Sequence, residues 1–504
     1  MSDLVEIELR PLGRTLRVES GTPLQDLLHE YGIEFPCGGS GTCARCRVRV
    51  IAGELPLSPE HAAMLTPDAA AEGWRLACRC RAEGPLTLEV EQWESAILSD
   101  HSPLRFEPRP GRGVAVDLGT TTLVAQLLDL QSGEVLALER SMNPQAAHGA
   151  DVMSRLDFAR SAPGRRNLVE SIRSRIGDMV LALVTSATRP ETPLESVVVA
   201  GNSAMHHLFC DLDLAPLSHA PFEPREGGSH SFAAPELGWR LPGDPAVRVL
   251  PCLGGFVGGD LLAGILASGI HETDELRALI DLGTNGEIVL GNRSRILCAS
   301  TAAGPAFEGG RIGMGMQAVS GAISAVELAG KRPRCHVIGN GPARGICGSG
   351  VVDAVAAGLE LGVIAASGRL GRGGQPMVLS PPVELTQHDI RELQLAKAAI
   401  AAGIQILLEH FGANAGDLDR VFLAGAFGNY VNPASARRIG LVDFRDDQIE
   451  AAGNTALLGA KLALFTGNAE AGRFEALREK VEHVPLGSDP RFHEIFVAHT
   501  AFPA

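Results

Sequence analysis

The 504-residue sequence is poor in lysine, in aromatic side chains and in net positive charge. Four lysines stand against forty arginines, aromatic residues make up 4% of the chain, and the formal net charge is −15. A negative net charge repels the phosphates of nucleic acids, and so few rings leave bases little surface for stacking. The composition therefore argues against a nucleic-acid partner.

Long apolar runs are also missing. No stretch approaches the roughly 18–20 apolar residues that a membrane-spanning helix needs. The first ten residues, MSDLVEIELR, carry acids where a secretory signal peptide has a basic start followed by an apolar stretch. We therefore expect a cytoplasmic protein that does not associate with a membrane.

Cysteine is present in ten copies, and half of them lie within residues 37–80. Disulfides are rare in a reducing compartment, so a tight group of thiols indicates metal binding or catalysis. The remaining cysteines have apolar or glycine-rich neighbours, and we interpret them as small buried hydrophobic residues. They are Cys210, Cys252, Cys298, Cys335 and Cys347.

The thiol-rich segment belongs to a predicted α+β domain over residues 1–97. Residues 4–10 and 14–19 alternate apolar and polar side chains, as half-buried strands do. A short helical stretch, the thiol loop and further strands follow, and PLTLEVE (85–91) closes the unit. This order of elements suits a β-grasp domain.

The spacing of the thiols predicts an iron–sulfur cluster, which needs four thiolates and a backbone that approaches the sulfurs closely. Glycines between the first two cysteines permit that approach. The C-x5-C-x2-C spacing and the later Arg-Leu-Ala-Cys segment resemble adrenodoxin-type 2Fe–2S ferredoxins. The resemblance implies a 2Fe–2S cluster with Cys80 as a spare thiol and with the ligands Cys37, Cys43, Cys46 and Cys78. The alternative is structural zinc, which usually takes two C-x2-C pairs where this chain has one.

Residues 98–112 contain three prolines and no periodicity, and we interpret them as a linker. From residue 113 onward the sequence repeats itself. Asp-Leu-Gly-Thr follows an apolar strand at Asp117 and again at Asp281, and two later apolar strands each end in a glycine turn. Two diverged copies of one α/β half explain both repeats. We place the first at residues 113–210 and the second, with inserts, at 211–504.

The chemistry of the repeated phrase is phosphate binding. A strand that ends in aspartate and turns on glycine exposes backbone N–H groups and threonine hydroxyls, which donate to phosphate oxygens. The carboxylate can hold Mg²⁺, usually through water. Two such loops facing each other would grip the β- and γ-phosphates of a nucleotide from both sides.

This pattern resembles the superfamily of acetate and sugar kinases, Hsp70 and actin, with its duplicated RNase H-like ATPase fold. The resemblance implies ATP and Mg²⁺ as cofactors, with Asp117 and Asp281 as catalytic residues. It also implies two connecting helices that cross near residues 253–260 and 453–460. The implied ATP-binding residues are Gly119, Thr120, Thr121, Thr122, Gly283, Thr284, Asn285, Gly286, Gly425 and Gly428.

A ferredoxin domain, a linker and an actin-like ATPase together resemble one family over essentially the whole chain, the reductive activators of corrinoid-dependent enzymes. The segments GNSAMHHLF, GPAFEGG, GICGSG and LAGAFGNYVNP are similar to that family's body. The resemblance implies ATP-dependent transfer of one electron from the cluster to a Co(II) corrinoid, which regenerates Co(I) in a methyltransferase system. It implies a corrinoid protein and an upstream electron donor as partners, and a homodimer would suit it.

Two other functions stay open at the level of sequence. One is a small-molecule kinase with a ferredoxin redox sensor, although no sugar-binding signature lies between the phosphate loops and the second loop reads DLGTNGE rather than DLGGGT. The other is a redox-sensing, Hsp70-like binding protein. Roles for Glu308 and Cys347 are not defined by the sequence. For His206 and His207 we expect structural hydrogen bonds, since helix neighbours diverge by about 100°.

Overall fold

The structure is a computed structural model, and the predicted site residues Cys37, Cys43 and Thr284 lie outside the residues that it describes, as does most of the predicted linker. The described residues are 4–10, 14–28, 46–57, 64–65, 67–90, 106–149, 151–186, 192–219, 222–283, 285–316, 318, 321–330, 332–338, 341–428, 431–466 and 471–503.

The N-terminal part is a five-stranded sheet in the order β2-β1-β7-β4-β5, in which β1 pairs parallel with β7 and the other pairs are antiparallel. This is the β-grasp arrangement that the sequence predicts. Its elements are β1 (Leu4–Arg10), β2 (Arg14–Glu19), β3 (Thr22–Pro23), α1 (Leu24–Leu28), β4 (Arg47–Ala52), α2 (Pro67–Ala71), β5 (Trp74–Leu76), β6 (Arg81–Ala82) and β7 (Leu86–Val90).

A six-stranded sheet follows, in the order β10-β9-β8-β11-β13-β12. Strands β8, β9 and β10 form an antiparallel meander, and β11 and β13 continue the sheet in parallel. The elements are β8 (Arg112–Leu118), β9 (Thr122–Asp129), β10 (Val135–Met142), α3 (Val152–Phe158), α4 (Ala162–Ser186), β11 (Leu194–Gly201), α5 (Ser203–Cys210), β12 (His230–Ala233), β13 (Ala246–Val249) and α6 (Gly259–Ser268).

A second six-stranded sheet has the order β23-β22-β14-β15-β16-β24, with smaller sheets inserted between its strands. The elements of this part are β14 (Arg277–Leu282), β15 (Gly286–Gly291), β16 (Ile296–Thr301), β17 (Ala322–Ala329), β18 (Arg332–Val337), β19 (Gly345–Ile346), α7 (Gly348–Glu360), β20 (Met377–Ser380), β21 (Val383–Leu385), α8 (Gln387–Phe411), β22 (Arg420–Ala424), α9 (Gly425–Gly428), α10 (Pro433–Arg438), β23 (Ile449–Gly453), α11 (Thr455–Phe465), α12 (Ala471–Lys480), β24 (Val481–His483) and α13 (Phe492–Ala498).

The two large sheets repeat one pattern. In each, an antiparallel meander of three strands is extended by two parallel strands on the side of its first strand. The duplication inferred from the two Asp-Leu-Gly-Thr phrases is therefore present in the fold. The predicted end of the first copy at residue 210 is too early, because β12 and β13 complete the first sheet. Their short strands and intervening loops carry no periodicity that the sequence would reveal.

The longest helices, α4 and α8, have 25 residues each. Each buries an apolar face against a sheet, as Leu168, Ile172 and Ile176 of α4 do. Burial of that stripe is what stabilises a helix of this type in a folded domain. Across the described ranges, no helix combines the length and the apolar character needed to cross a membrane.

Helices α6 and α11 cross between the two sheets at backbone contact. A Cβ atom on Gly459 of α11 would collide with the backbone of Ala263 in α6. The far end of α11 holds the segment just before β8. The rings of Phe465 and Phe106 lie 4.3 Å apart, and Arg109 Nη1 donates to the Leu464 carbonyl oxygen at 3.0 Å. The chain that leads to β8 is thus attached to the end of a central helix.

Candidate functional site

The first predicted phosphate loop is the turn between β8 and β9. Asp117 stands near the end of β8, half-buried, and Asn454 Nδ2 donates to its Oδ2 at 2.7 Å. Asn454 is also the N-cap of α11, since its side chain accepts from Leu457 N. A Cβ on Gly119 would collide with the Thr122 carbonyl oxygen, so this tight turn requires glycine.

Two further asparagines brace the same loop. Asn202 Nδ2 donates to Thr120 Oγ1 at 2.9 Å, and Asn143 Nδ2 donates to the Gly119 carbonyl oxygen at 2.9 Å. The Asn143 backbone N–H donates to the Thr121 carbonyl oxygen at 2.9 Å. Because Thr120 Oγ1 already accepts, its own proton is free to be donated to a phosphate oxygen.

The second predicted loop is the turn between β14 and β15. Asp281 and Glu287 are paired directly across this hairpin, so both carboxylates lie on one face. The turn is closed by Gly283 N–H, which donates to the Asn285 carbonyl oxygen at 3.0 Å. At Gly286 a Cβ would come within 2.8 Å of Ile400 Cγ1, so the start of β15 is packed directly on α8.

The predicted adenosine segment lies beside the second loop. Strand β22 runs parallel to β14 with Ala424 paired to Asp281, so Gly425 is next to that carboxylate. Gly425 has φ +81°, and a Cβ there would collide with Asp281 Oδ1. At Gly428 a Cβ would come within 2.9 Å of the Leu423 carbonyl carbon. Glycine at both positions lets the backbone approach the site closely.

Four half-buried carboxylates meet between the loops, and each has a raised pKa. Burial raises the pKa of Asp117 to about 6 against the opposing hydrogen bond from Asn454. Burial, with the Asp117 charge adding, raises the pKa of Asp260 in the first turn of α6 to about 7. Burial followed by the Asp260 and Asp117 charges raises the pKa of Asp281 to about 7. Burial, with Asp260 and Asp281 adding, raises the pKa of Glu287 well above its ordinary value.

The carboxylates of the first loop, the second loop and the start of α6 thus lie close enough to repel one another. Carboxylates that repel one another take up protons, or they bind a cation that neutralises them. Mg²⁺ takes carboxylate and phosphate oxygens as ligands, so this donor set fits MgATP. The exposed Glu308 adds its negative charge to the field at Asp281.

Sequence reasoning missed Asp260, Glu287 and Asn454 as site residues. Asp260 and Asn454 fall within the two glycine-rich segments expected at the helix crossing, but no sequence signal pairs either with Asp117. Glu287 could have been inferred from the sequence, because it directly follows Gly286 at the end of the turn and is paired with Asp281 across the hairpin. The structure brings Asp117, Asp281, Gly119, Gly283 and Gly425 into one region, and their roles in binding ATP stay predictions.

The described cysteines of the N-terminal sheet are buried. Cys46, Cys78 and Cys80 are 1%, 6% and 6% exposed, and Ala77 N–H donates to the Cys46 carbonyl oxygen at 2.8 Å. Cys80 Sγ lies 3.3 Å from the Leu76 carbonyl oxygen, to which its thiol donates. Burial, with Cys46 adding, raises the pKa of Cys80 to about 12.

Comparison with known families divides the chain into three parts. Residues 7–83 match the 2Fe–2S iron–sulfur cluster binding domain. Residues 112–273 match the RACo middle region, and residues 275–504 match the C-terminal domain of RACo, the ASKHA domain. The boundary between the second and third matches lies between α6 and β14, where the first sheet ends and the second begins.

Individual relatives also match most of the chain. The corrinoid activation enzyme RamQ of Eubacterium limosum is 35% identical over 80% of this chain and 72% of its own length. The [Co(II) methylated amine-specific corrinoid protein] reductase of Methanosarcina barkeri is 29% identical over 77% of each chain. A solved reductive activator for corrinoid, iron-sulfur protein superposes with a TM-score of 0.71 and 27% identity over 99% of this chain and 98% of its own. The chain belongs to the family of reductive activators of corrinoid proteins.

Proposed function

We propose that this protein uses ATP to pass one electron from a 2Fe–2S cluster to the Co(II) corrinoid of a methyltransferase system, which returns to Co(I). The observation that carries the proposal is the presence, in one chain, of a buried thiol site on a β-grasp sheet and a duplicated pair of phosphate loops. The names of the relatives, a corrinoid activation enzyme and a Co(II) corrinoid protein reductase, point to the acceptor.

The thiol site fits the cluster. Cys46 and Cys78 are buried in the described part of the domain. Following the C-x5-C-x2-C spacing and the later Arg-Leu-Ala-Cys segment, we assign the ligands as Cys37, Cys43, Cys46 and Cys78, with Cys80 outside the set. When bound, the cluster supplies one electron at a time, taken from an upstream donor.

The need for ATP follows from the energetics of the acceptor. Reduction of Co(II) to Co(I) is uphill from ordinary cellular reductants. In a one-electron step 59 mV corresponds to about 1.4 kcal/mol, so a gap of roughly 300 mV costs roughly 7 kcal/mol. Coupling the transfer to nucleotide binding and hydrolysis supplies free energy of that size.

The two loops divide the nucleotide between them in this proposal. Backbone N–H groups and hydroxyls of Gly119–Thr122 and Gly283–Gly286 donate to the β- and γ-phosphates, and Gly425 and Gly428 lie against the nucleoside. Asp117 and Asp281 would hold Mg²⁺ and orient the attacking water. The clustering of carboxylates with raised pKa values supports this role, because a dication removes the repulsion among them.

The partners are a corrinoid protein and an electron donor, and we expect a homodimer. None of the eight described cysteines is in a disulfide, which suits a reducing compartment such as the cytoplasm. The acidic net charge of −15 is suited to steering basic faces of such partners.

The test combines the anaerobically purified protein with a Co(II) corrinoid protein encoded near it in the same genome. Reductant is supplied, and Co(I) absorbance is followed with and without MgATP. We expect Co(I) only with MgATP. Two variants test the two parts of the chain separately. Cys46→Ser should abolish Co(I) formation while ATP hydrolysis continues. Asp281→Asn should lower hydrolysis on the order of 10²–10³-fold while the cluster spectrum is unchanged.

Co(I) formed at the same rate without nucleotide would contradict the coupling. A blank across a panel of corrinoid proteins, together with a phosphorylated small-molecule product, would replace the proposal with the kinase function.

A further inference from the structure

Metal-ligating side chains also gather on α5, on β12 and in the segment that follows β13. The rings of His206 and His207 lie 5.3 Å apart, and those of His206 and His230 lie 5.4 Å apart. Apart from the half-buried His230, every member of this group is buried. The members are His206, His207 and Cys210 of α5, His230 of β12, and Cys252 between β13 and α6.

The hydrogen bonds of the two helix histidines define which nitrogen carries the proton. His206 Nε2 lies 3.2 Å from the Gly228 carbonyl oxygen, and His207 Nδ1 lies 2.7 Å from the Ser203 carbonyl oxygen. A carbonyl oxygen only accepts, so Nε2 of His206 and Nδ1 of His207 are the donors. The other nitrogen of each ring therefore presents a lone pair.

Both lone pairs are buried without a partner among the described residues. His206 Nδ1 and His207 Nε2 have no hydrogen-bond donor, and each residue is only 1% exposed. Two orphaned acceptors in a core are costly unless something binds them.

The geometry brings a thiol to the same point. One ligand atom each from His206, His207 and Cys252 lie within 4.8 Å of one another, and the same holds for His206, Cys210 and His230. Donors around a tetrahedral zinc ion are about 3.3–3.8 Å apart, given bond lengths of about 2.0–2.3 Å. The side chains would have to move closer together to reach these separations when zinc binds. Neighbouring histidines were expected to diverge, but that angle applies to their Cβ atoms, and one nitrogen of each ring lies within 4.8 Å of the Cys252 sulfur.

We propose that His206, His207 and Cys252 bind a zinc ion, with Cys210 and His230 forming the adjoining side of the site. Imidazole and thiolate are the donors that zinc prefers in proteins. The carbonyl groups of Gly228 and Ser203 orient the two rings, as the outer partners of metal-bound histidines usually do.

The ion would join two elements that frame the carboxylate cleft. Helix α5 begins after Asn202, which holds Thr120 of the first loop. Cys252 stands shortly before α6, whose first turn carries Asp260. Zinc would thereby stiffen the nucleotide site without taking part in its chemistry.

The test measures zinc and iron per chain by mass spectrometry in the full-length protein with its cluster, after exposure to zinc and gel filtration. We expect about one zinc per chain in the wild type. His206→Gln and Cys252→Ser should each lower zinc at least about fivefold with iron unchanged. His271→Gln is the matched control, because that half-buried ring also faces a backbone carbonyl but lies outside the group. Retention of zinc by His206→Gln would overturn the assignment.

A measurement on the wild type guards against variants that fail to fold. X-ray absorption at the zinc edge should show mixed nitrogen and sulfur ligands. A shell of four sulfurs would place the zinc in the cysteine loop and contradict the proposal. A wild-type protein that retains no zinc would also contradict it.

Discussion

The two phosphate loops occupy equivalent places in equivalent sheets, yet their surroundings are opposite. Around the first loop, Asn143, Asn202 and Asn454 donate to a carbonyl oxygen, a hydroxyl and a carboxylate. Around the second, Asp281 faces the charges of Asp260, Asp117 and Glu308. Neutral donors hold the first loop in position, whereas the repulsion at the second loop would be relieved by a cation or a proton. In our proposal, one half of the site is therefore pre-formed and the other half responds to charge.

The largest effect should come from the second loop. Asp281→Asn keeps the size of the side chain but removes the charge, and we expect ATP hydrolysis to fall on the order of 10²–10³-fold, as when one pre-organised group is lost from a phosphate site. Steady-state phosphate release measures this. The nucleotide-free protein should become slightly more stable to denaturant, because a repelling charge is gone.

The control for that change is the spectrum of the cluster. The cluster belongs to another domain, so its spectrum should not change. If Asp281→Asn instead lowered stability and bleached the cluster together, Asp281 would be a folding residue and the comparison between the loops would collapse.

A smaller effect is expected at the first loop. Asn454→Ser keeps an N-cap acceptor for α11 but is too short to reach Asp117, so it removes the 2.7 Å hydrogen bond while retaining the cap. We expect hydrolysis to fall roughly tenfold, the effect of losing one hydrogen bond to a charged group. Asn454→Ala, which also loses the cap, should cost about 1 kcal/mol more in stability. Equal stability of the two variants would show that the cap is unimportant.

The smallest effect is a pH dependence of stability without Mg²⁺. The folded pKa values of Asp117, Asp260 and Asp281, about 6 to 7, exceed the ordinary 3.8, so between about pH 4 and 7 the folded state holds protons that the unfolded state releases. Stability should therefore fall as pH rises through that window, by at most about 1.4 kcal/mol per pH unit for each site. Denaturant midpoints in a chelator measure it.

The same pH titration distinguishes the two loops. Asp281→Asn should make the fall of stability with rising pH shallower. Asn454→Ser should extend it to higher pH, because the lost hydrogen bond is the interaction that lowers the pKa of Asp117. Stability that rises with pH over this window in the wild type would contradict the carboxylate cluster.

Local patterns predicted much of the fold. The strands at residues 4–10 and 14–19 are found with the bounds that their alternation gives. The hairpins at Asp117 and Asp281 follow from apolar runs that break at glycine, and their repetition predicted the paired sheets. These features depend on residues close in sequence, where period and turn chemistry decide the structure.

Contacts between segments that are distant in sequence could not be predicted from these local patterns. Asn454 and Asp117 are 337 positions apart, and only the crossing of α6 and α11 brings helix N-termini from both halves to one cleft. The strands at residues 230–249 were missed for a related reason, since strands of only four residues show little alternation. The convergence of His206 and His207 on Cys252 likewise depends on loop positions that no periodicity encodes.

The contact of Gly459 with Ala263 would act as a pivot about which α11 can tilt. At a rise of 1.5 Å per residue, the helix extends about 6 Å from Thr455, beside the nucleotide cleft, to this pivot, and about 9 Å from the pivot to Phe465. A tilt that begins with Asn454 following Asp117 would be magnified about one and a half times at the other end. Phe106 and Arg109 contact that end of α11, and both belong to the segment that connects the redox domain to β8. Nucleotide occupancy would in this way steer where the electron carrier is held.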